Sequence, residues 1–408
     1  MLADLLITGI AAGGDGVARH EGMVVFVPRT APGDRVRAEL RPRRRFAQGR
    51  LRRVLEPSAD RIDPPCVHYV RDRCGGCQVQ HLRIEAQRHA KAGIVRDALV
   101  RIGKREVAPP EVRASPSDWR YRNKLTLAMR RRAGRWIAGL HPYDEPGAVF
   151  ALEDCPIAST RVLEVWRHVL AASDRLPDAA SLRGAVRAAG GESSFVLEGG
   201  ADWPGAADFF AAVPDLGSLW WAPDGGSRRL LHARGGATAS PAFAQVNPPV
   251  AAALREYVLE RLGALGAQTV VDAYAGEGDL AAALEQRGAA VTTIELDAES
   301  VARTRTKLSS GARVIEGRVE DVLERALPAD AVVLNPPRAG LHERIPPLLG
   351  RQLAAGAARP ALLYVSCDPA TLARDLARLP DYRIASLMAF DMFPQTAHVE
   401  TVCELHPD

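Results

Sequence analysis

In RCGGCQ, residues Arg73 to Gln78, two of the chain's six cysteines stand three positions apart with only glycines between them. Three chemistries use that spacing: a redox dithiol, half of a zinc site, or part of an iron–sulfur cluster. Another thiol, Cys367, lies in YVSCDPATLARDL, after an apolar strand run and before a helical pattern whose N-terminal dipole would favour a thiolate. A lone cysteine in such a run is commonly core packing. Glu400, in FPQTAHVETV, opens a further strand run two positions after His398. A thiolate and a carboxylate are the nucleophile and base of covalent catalysis if the fold brings them together.

The segment TVVDAYAGEGDL indicates what they would act with. A strand runs here into Ala275-Gly276-Glu277-Gly278 and then a helix, and the glycines let backbone approach a ligand closely. The turn is GxG rather than GxGxxG, a weak phosphate fingerprint. Asp272 in this strand and Glu295 at the end of the next, VTTIELD, suit a ligand with an amine and a ribose diol better than a pyrophosphate. Those are features of S-adenosylmethionine, with Tyr274 placed to pack on it. A generic doubly wound turn or an NAD site is the other reading of the same residues. A thiolate, a methyl donor and a carboxylate base at one sheet edge are the parts needed to methylate a pyrimidine ring carbon.

The elements that must position these groups follow from the pattern. The last third alternates strand runs with helical patterns, which predicts an α/β domain built on a doubly wound parallel sheet, its ligands at the carboxyl ends of the strands. Residues 1–57 carry short apolar alternations between Gly-rich and Pro-Gly turns, the pattern of a small β-barrel. From Leu82 to Ile102 one amphipathic helix is expected, with Leu82, Ala86, Ala90, Ile94, Ala98 and Ile102 on its apolar stripe. Paired strands are expected between Trp119 and Leu140, and a helix near 161–171. The stretch from about 160 to 240 otherwise offers no motif.

The composition, 47% hydrophobic and 25% charged over 408 residues, is that of a globular chain of roughly two to three domains. No apolar run approaches the ~20 residues of a membrane helix, and MLADLLITGI lacks the basic region of a signal peptide. A cytoplasmic location with reduced cysteines is therefore expected. The net charge of +4 says little, but its distribution says more. Eleven arginines against four acidic residues fall between Arg29 and Arg61, and a second basic run covers Arg120 to Lys124 and Arg130 to Arg132. A solvated face can carry such charge, but two runs in one chain point to nucleic acid, whose phosphates arginine forks bind.

With these motifs in this order, the chain resembles the RNA uracil-5-methyltransferase family, which forms 5-methyluridine in tRNA or ribosomal RNA. The resemblance covers nearly the whole chain. ITGIAAGGDGVARHEGMVVFVPRTAPGDRVRAEL looks like that family's TRAM domain, an RNA-binding β-barrel. AFAQVN, DAYAGEGDL, TIELD, NPPRAGL, VSCDPATLARDL and FPQTAHVET are similar to its methyltransferase motifs. The resemblance implies a TRAM-like barrel over 1–57, a central α+β iron–sulfur domain over 58–240 and a Rossmann-like class I methyltransferase domain over 241–408. It puts the nucleophile on Cys367, the base on Glu400, and cofactor and pocket positions on Gln245, Tyr274, Glu295 and Asn335. S-adenosyl-L-methionine, an RNA substrate and a monomer without a membrane partner are expected with it. Asn335 departs from the family's usual Asp before PPR.

Several family members hold a four-iron cluster with one Cys, a CGGC pair and a distant Cys. Here that implies Cys66, Cys74, Cys77 and Cys155 as ligands of a 4Fe-4S cluster, although four thiolates would also satisfy zinc. A thioredoxin-like role is disfavoured because no βαβ pattern surrounds the pair. Seven residues separate Cys66 from Cys74, where five are expected. Cys403 is expected in the core. Rival readings are a noncatalytic RNA-binding protein or iron–sulfur redox sensor on the same scaffold, against which intact Cys367 and Glu400 speak, and a cytosine-5 methyltransferase.

Overall fold

The computed structural model describes residues 1–235, 245–351 and 358–408. Its first sheet has six strands, β1 (Leu2–Leu6), β2 (Gly9–Ile10), β3 (Gly16–His20), β4 (Met23–Val27), β5 (Arg35–Pro42) and β6 (Ala47–Glu56), ordered β1-β5-β6-β4-β3-β2. Alternation along β5 sends Val36, Ala38 and Leu40 inward against Leu5, Ile7, Val25 and Val27, and Arg35, Arg37 and Arg41 outward. Arg43, Arg44 and Arg45 stand exposed in the β5–β6 turn. Asp34 closes the Ala31–Asp34 turn. Fully buried, it accepts from the N–H groups of Ala31 (2.7 Å) and Ser58 (2.8 Å) and pairs with Arg61, tying the barrel to the chain that follows. Burial would raise its pKa, but the bonds from Arg61, Ser58 and Ala31 outweigh burial and hold the carboxyl below its ordinary value.

After the barrel come α1 (Val67–Val70), α2 (Ile84–Arg101) and β7 (Glu111–Arg113). A second sheet of seven strands then forms from β8 (Lys124–Arg132), β9 (Arg135–Leu140), β10 (Phe150–Ala151), β11 (Ser181–Ala189), β12 (Glu192–Glu198), β13 (Ser218–Ala222) and β14 (Arg229–Ala233), ordered β10-β9-β8-β11-β12-β13-β14. The expected paired strands are the hairpin β8–β9, turned at Ala133 and Gly134, both with positive φ. The helix expected near 161–171 is α3 (Thr160–Ala171), whose Val162, Val165, Trp166 and Val169 pack with Leu125, Leu127 and Phe195 of the sheet.

The third sheet holds β15 (Thr269–Ala273), β16 (Ala290–Glu295), β17 (Arg313–Glu316), β18 (Ala331–Leu334), β19 (Ala361–Ser366), β20 (Tyr382–Phe390) and β21 (Glu400–Pro407), in the order β17-β16-β15-β18-β19-β21-β20-β7. The five strands from β15 to β19 are parallel, as expected. Of the last two, β21 is reversed: it runs antiparallel to both β19 and β20, so β20 points the same way as the five. Only residues 391–399 join β20 to β21, too few for the crossover helix that parallel neighbours require. Cys403 on β21 is fully buried in the core beneath this sheet.

Two pieces of the 58–240 stretch pack on this third sheet. Strand β7 pairs with its edge strand β20, and α2 brings Val95 and Leu99 into the core shared with Leu372 and Leu376 of α10 (Pro369–Leu376). The inward face of α2 corrects the expected stripe. Gln87, Lys91, Ile94, Val95 and Leu99 are buried, whereas Ile102 is exposed. The helix lies partly against a polar loop rather than an apolar sheet, so its inner face carries polar residues that hydropathy assigns to solvent. Among the described residues no helix is long and apolar enough to cross a membrane.

Asp34→Ala leaves Arg61 and two backbone N–H groups without their buried acceptor. It should lower stability to urea by about 3 kcal/mol, measured as a shift of the unfolding midpoint. A change within error would show that the turn needs no anchor.

Candidate active site

The pairing of β19 with β21 sets the centre of the site. Ser366 lies opposite Thr401, so the next positions outward, Cys367 and Glu400, meet at the carboxyl edge of the sheet. Cys367 is partly open to solvent and Glu400 is 3% exposed. Gln245 donates from Nε2 to Oε1 of Glu400 at 3.3 Å. Of the AFAQVN motif, Ala242 to Ala244 lie outside the described residues. Burial pushes the Glu400 carboxyl up to about 7, against the lowering influence of Gln245 and Arg338.

The Cys367 thiol is also raised, first by burial and then by Glu400, while Arg338 acts in the opposite direction by charge and hydrogen bond. This corrects the expectation that the helix beyond Cys367 would favour a thiolate. The N-terminus of α10 is capped by Asp368, whose carboxylate accepts from Thr371 N–H at 2.9 Å and spends the dipole there. Arg338 takes over the task. Its NPPRAG turn was legible as a motif, but only Asn335 was singled out within it. The turn is fixed by Gly340, at φ 81°, where a Cβ would lie 2.3 Å from Asp375 Oδ2, and by Asp375 accepting from Leu341 N–H.

On the next strands along the same edge, Tyr274 follows β15, Glu295 ends β16 and Asn335 follows β18, exposed. Tyr274 has φ 64°, which turns the chain sharply into Gly276 and Gly278. A Cβ on Gly278 would meet Thr304 at 2.7 Å, whereas nothing lies within 4 Å of one on Gly276, so open space remains beside it. Glu295 accepts from the N–H groups of Gly276 (2.8 Å), Leu296 (2.8 Å) and Asp297 (2.9 Å), and so shapes the turn. One acceptor position on its Oε2 is left over. Asp272 is 3% exposed, its Oδ2 has no hydrogen-bond partner, and burial with Glu295 nearby pushes it up to about 7. An open cradle beside an unsatisfied buried carboxyl fits a ligand that brings donors, as S-adenosylmethionine does.

The four remaining cysteines gather elsewhere. Cys66, Cys74, Cys77 and Cys155, all buried, line a cavity of about 140 Å³ together with Leu140 and Ile157. The seven residues between Cys66 and Cys74 include the helical turn α1, whose N-cap is Cys66 itself. His68 joins the cysteine-bearing segments: its Nδ1 bonds Asp72 at 2.7 Å, its Nε2 accepts from Glu153 N–H at 3.0 Å, and its carbonyl accepts from Cys74 N–H at 2.9 Å. Gly76 N–H donates to the sulfur of Cys74 at 3.4 Å. Arg120 of the second basic run is not free for RNA; it pairs with Asp154 and donates to the carbonyl of Cys155. Burial pushes the Cys74 thiol up to about 11 and raises Cys77 and Cys155 too. Among the described residues no three His, Cys, Asp or Glu side chains crowd closely enough to hold one metal ion.

Lys124 of that run does lie toward the site, whereas Arg131 and Arg132, at the other end of β8, bond Asp178 and the Val149 carbonyl. Lys124 of β8 sits opposite Arg187 of β11, and burial together with Arg187, Arg183, Arg228 and Arg122 pushes the Lys124 ammonium down. Arg187 is drawn to Glu277 of the glycine turn, and Arg228 acts on Asp297 beyond Glu295. The second sheet therefore presents concentrated positive charge beside the cradle, where a polyanion would relieve it.

A barrel of the kind that binds RNA, joined to a doubly wound domain with a thiol and a carboxyl at its ligand edge, defines the class of RNA methyltransferases. Residues 311–406 match the family described as tRNA (Uracil-5-)-methyltransferase, and residues 3–51 match the TRAM domain. A protein of Thermosynechococcus vestitus described as an uncharacterized RNA methyltransferase is 32% identical over 98% of this chain and 97% of its own length. One of Gloeobacter violaceus with the same description is 34% identical over 98% and 95%. The tRNA (uracil-54, C5)-methyltransferase of Pyrococcus abyssi, solved with S-adenosyl-L-homocysteine, shares the fold with a TM-score of 0.73 at 23% identity over 99% of both chains. The chain belongs to the RNA uracil-5-methyltransferase family. It is an S-adenosylmethionine-dependent enzyme.

Glu400 keeps its proton to about pH 7 when folded, while the unfolded chain releases it near the ordinary 4.5. A raised carboxyl of this kind stabilises the fold at acid pH, and that advantage is lost as pH climbs from 4.5 through 7, by about 3 kcal/mol at most. Glu400→Gln should therefore shrink the drop in melting temperature between pH 5 and pH 8. An unchanged drop would mean that the carboxyl ionises freely in the folded protein.

Proposed function

We propose that the protein methylates C5 of a uridine in folded tRNA or ribosomal RNA through a covalent bond to Cys367. The observation that carries this reading is the meeting of Cys367 with the buried Glu400 at the strand edge beside the glycine cradle. When bound, S-adenosylmethionine supplies an electrophilic methyl group; Gly276, Gly278, Tyr274, Glu295 and Asp272 are the residues to hold it. Cys367 gives up its proton to solvent, and Arg338 balances the charge. Its sulfur adds to C6 of the ring, and the 5,6 electron pair moves to C5, which becomes the nucleophile. Once C5 carries the methyl group, Glu400 removes the C5 proton, the electrons re-form the 5,6 bond, and the C6–S bond breaks.

A pKa near 7 suits Glu400 to that proton transfer at neutral pH. Asn335 favours uracil, because thiol addition to cytosine is helped by protonation at N3, which a neutral amide does not provide. The exposed Arg43 to Arg45 of the barrel and the cations around Lys124 are the surfaces to meet RNA phosphates.

Cys66, Cys74, Cys77 and Cys155 are the residues to hold a 4Fe-4S cluster. What supports the reading is that four buried thiols line one cavity, the number of thiolates such a cluster takes, although zinc would accept the same four. The cluster would cross-link a segment that has little apolar core of its own.

Cys367→Ala should abolish methyl transfer while RNA and cofactor still bind. Glu400→Gln should accumulate a methylated protein–RNA adduct visible on denaturing gels. Normal turnover by either variant would refute its assigned role. Protein purified without oxygen should be brown with about four irons per chain, and Cys155→Ser should lose them; a colourless protein with one zinc would refute the cluster.

A further inference from the structure

The loop between β20 and β21, residues 391–399, delivers Glu400 to its place, and it is held in an unusual way. Four consecutive carbonyls each accept from a different element. Met392 O takes Asn247 Nδ2 at 3.3 Å, Phe393 O takes Lys91 Nζ at 2.9 Å, Pro394 O takes the Tyr121 hydroxyl at 3.0 Å, and Gln395 O takes Val79 N–H at 3.2 Å. Gln395 is 3% exposed and has φ 72°, a left-handed conformation that a glutamine adopts only when its surroundings enforce it.

Helix α2 supplies the enforcement. Gln87, 1% exposed, grips Gln395 twice: its Oε1 accepts from Gln395 N–H at 2.9 Å, and its Nε2 donates to Gln395 Oε1 at 3.0 Å. One turn further along the helix, Lys91, also 1% exposed, pairs with the fully buried Asp391 at the start of the loop. A buried ion pair and a left-handed glutamine are poor means to stability, since well-packed apolar side chains serve as well or better. They are effective means of fixing one path for the chain.

The geometry points to Gln87 and Lys91 as positioning residues for catalysis: by clamping Gln395 and Asp391 they fix the turn that aims Glu400 at the ring carbon, and so govern proton removal and release of the adduct. This rests on Glu400 being the base. Neither residue touches the reacting atoms, so the signature is a changed balance between steps rather than loss of binding. A small displacement of a general base slows its own step roughly 10- to 100-fold and leaves the earlier thiol addition nearly unaffected.

The test is single-turnover methylation with labelled S-adenosylmethionine, using total tRNA and ribosomal RNA from cells lacking the enzyme. Adduct and released product are followed on denaturing gels. Gln87→Met, of matching shape without the amide, should bind cofactor and RNA normally and form adduct at close to the unmodified rate. It should release product roughly 10- to 100-fold more slowly. Gln395→Gly removes the gripped side chain and the backbone strain together; it should be as stable as the unmodified protein or more so, and still accumulate adduct. A purely structural role predicts that activity follows stability, so normal release by a stable Gln395→Gly protein would overturn the proposal, even if Gln87→Met fails to fold. Glu400→Gln serves as the reference. If it traps adduct while both clamp variants release normally, the base stands and the clamp alone fails. If it releases normally, the base assignment fails and takes the clamp's purpose with it.

Discussion

Ser366 faces Thr401 across two antiparallel strands, and that pairing decides where the chemistry can occur. Because β19 runs toward the ligand edge and β21 runs away from it, the residue after one and the first residue of the other must meet there. A slip of one residue would turn Glu400 to the other face of the sheet. The neighbouring parallel strands end at the same edge, so Tyr274, Glu295 and Asn335 line up beside the pair without any special device. The antiparallel strand breaks the doubly wound pattern at the position where a thiol and a carboxyl have to come together.

Keeping a carboxyl dry at that edge has a cost that the surroundings distribute. Glu400 and Asp272 both bind protons more tightly than free carboxyls, and Cys367 is reluctant to ionise. Gln245 and Arg338 oppose the shift at Glu400, and Arg338 opposes that at Cys367, while a cofactor with donors would satisfy Asp272. The cysteine-bearing segment enters the same network. Gln78, next to Cys77, accepts from Ala397 N–H at 3.4 Å, and Val79 N–H meets Gln395, so the order of the cysteine cavity and the order of the Glu400 loop are linked by direct bonds.

Much of this was legible because each reactive residue sits where a strand run meets a Gly, Pro or Asp turn. Cys367 and Glu400 could be placed at strand ends, and the glycine turn before α6 (Asp279–Gln286) marked the cradle. The inner face of α2 was not legible. Gln87 and Lys91 find their partners about 300 residues away, and hydropathy sends both to solvent. Arg120 looked like part of an RNA-binding run because its partner Asp154 is remote in sequence. The thiolate-favouring helix end was misjudged for a local reason: Asp368, visible in the motif, already caps it.

The central claim is that Cys367 and Glu400 act in succession on one uracil ring. RNA carrying tritium at C5 of uridine tests it most directly, with tritium release to water counted against methyl groups incorporated. The account predicts one tritium released for each methyl group transferred, 5-methyluridine as the product, and loss of both signals in Cys367→Ala. Methylation without tritium release, tritium release undiminished in Cys367→Ala, or 5-methylcytidine as the product would contradict it.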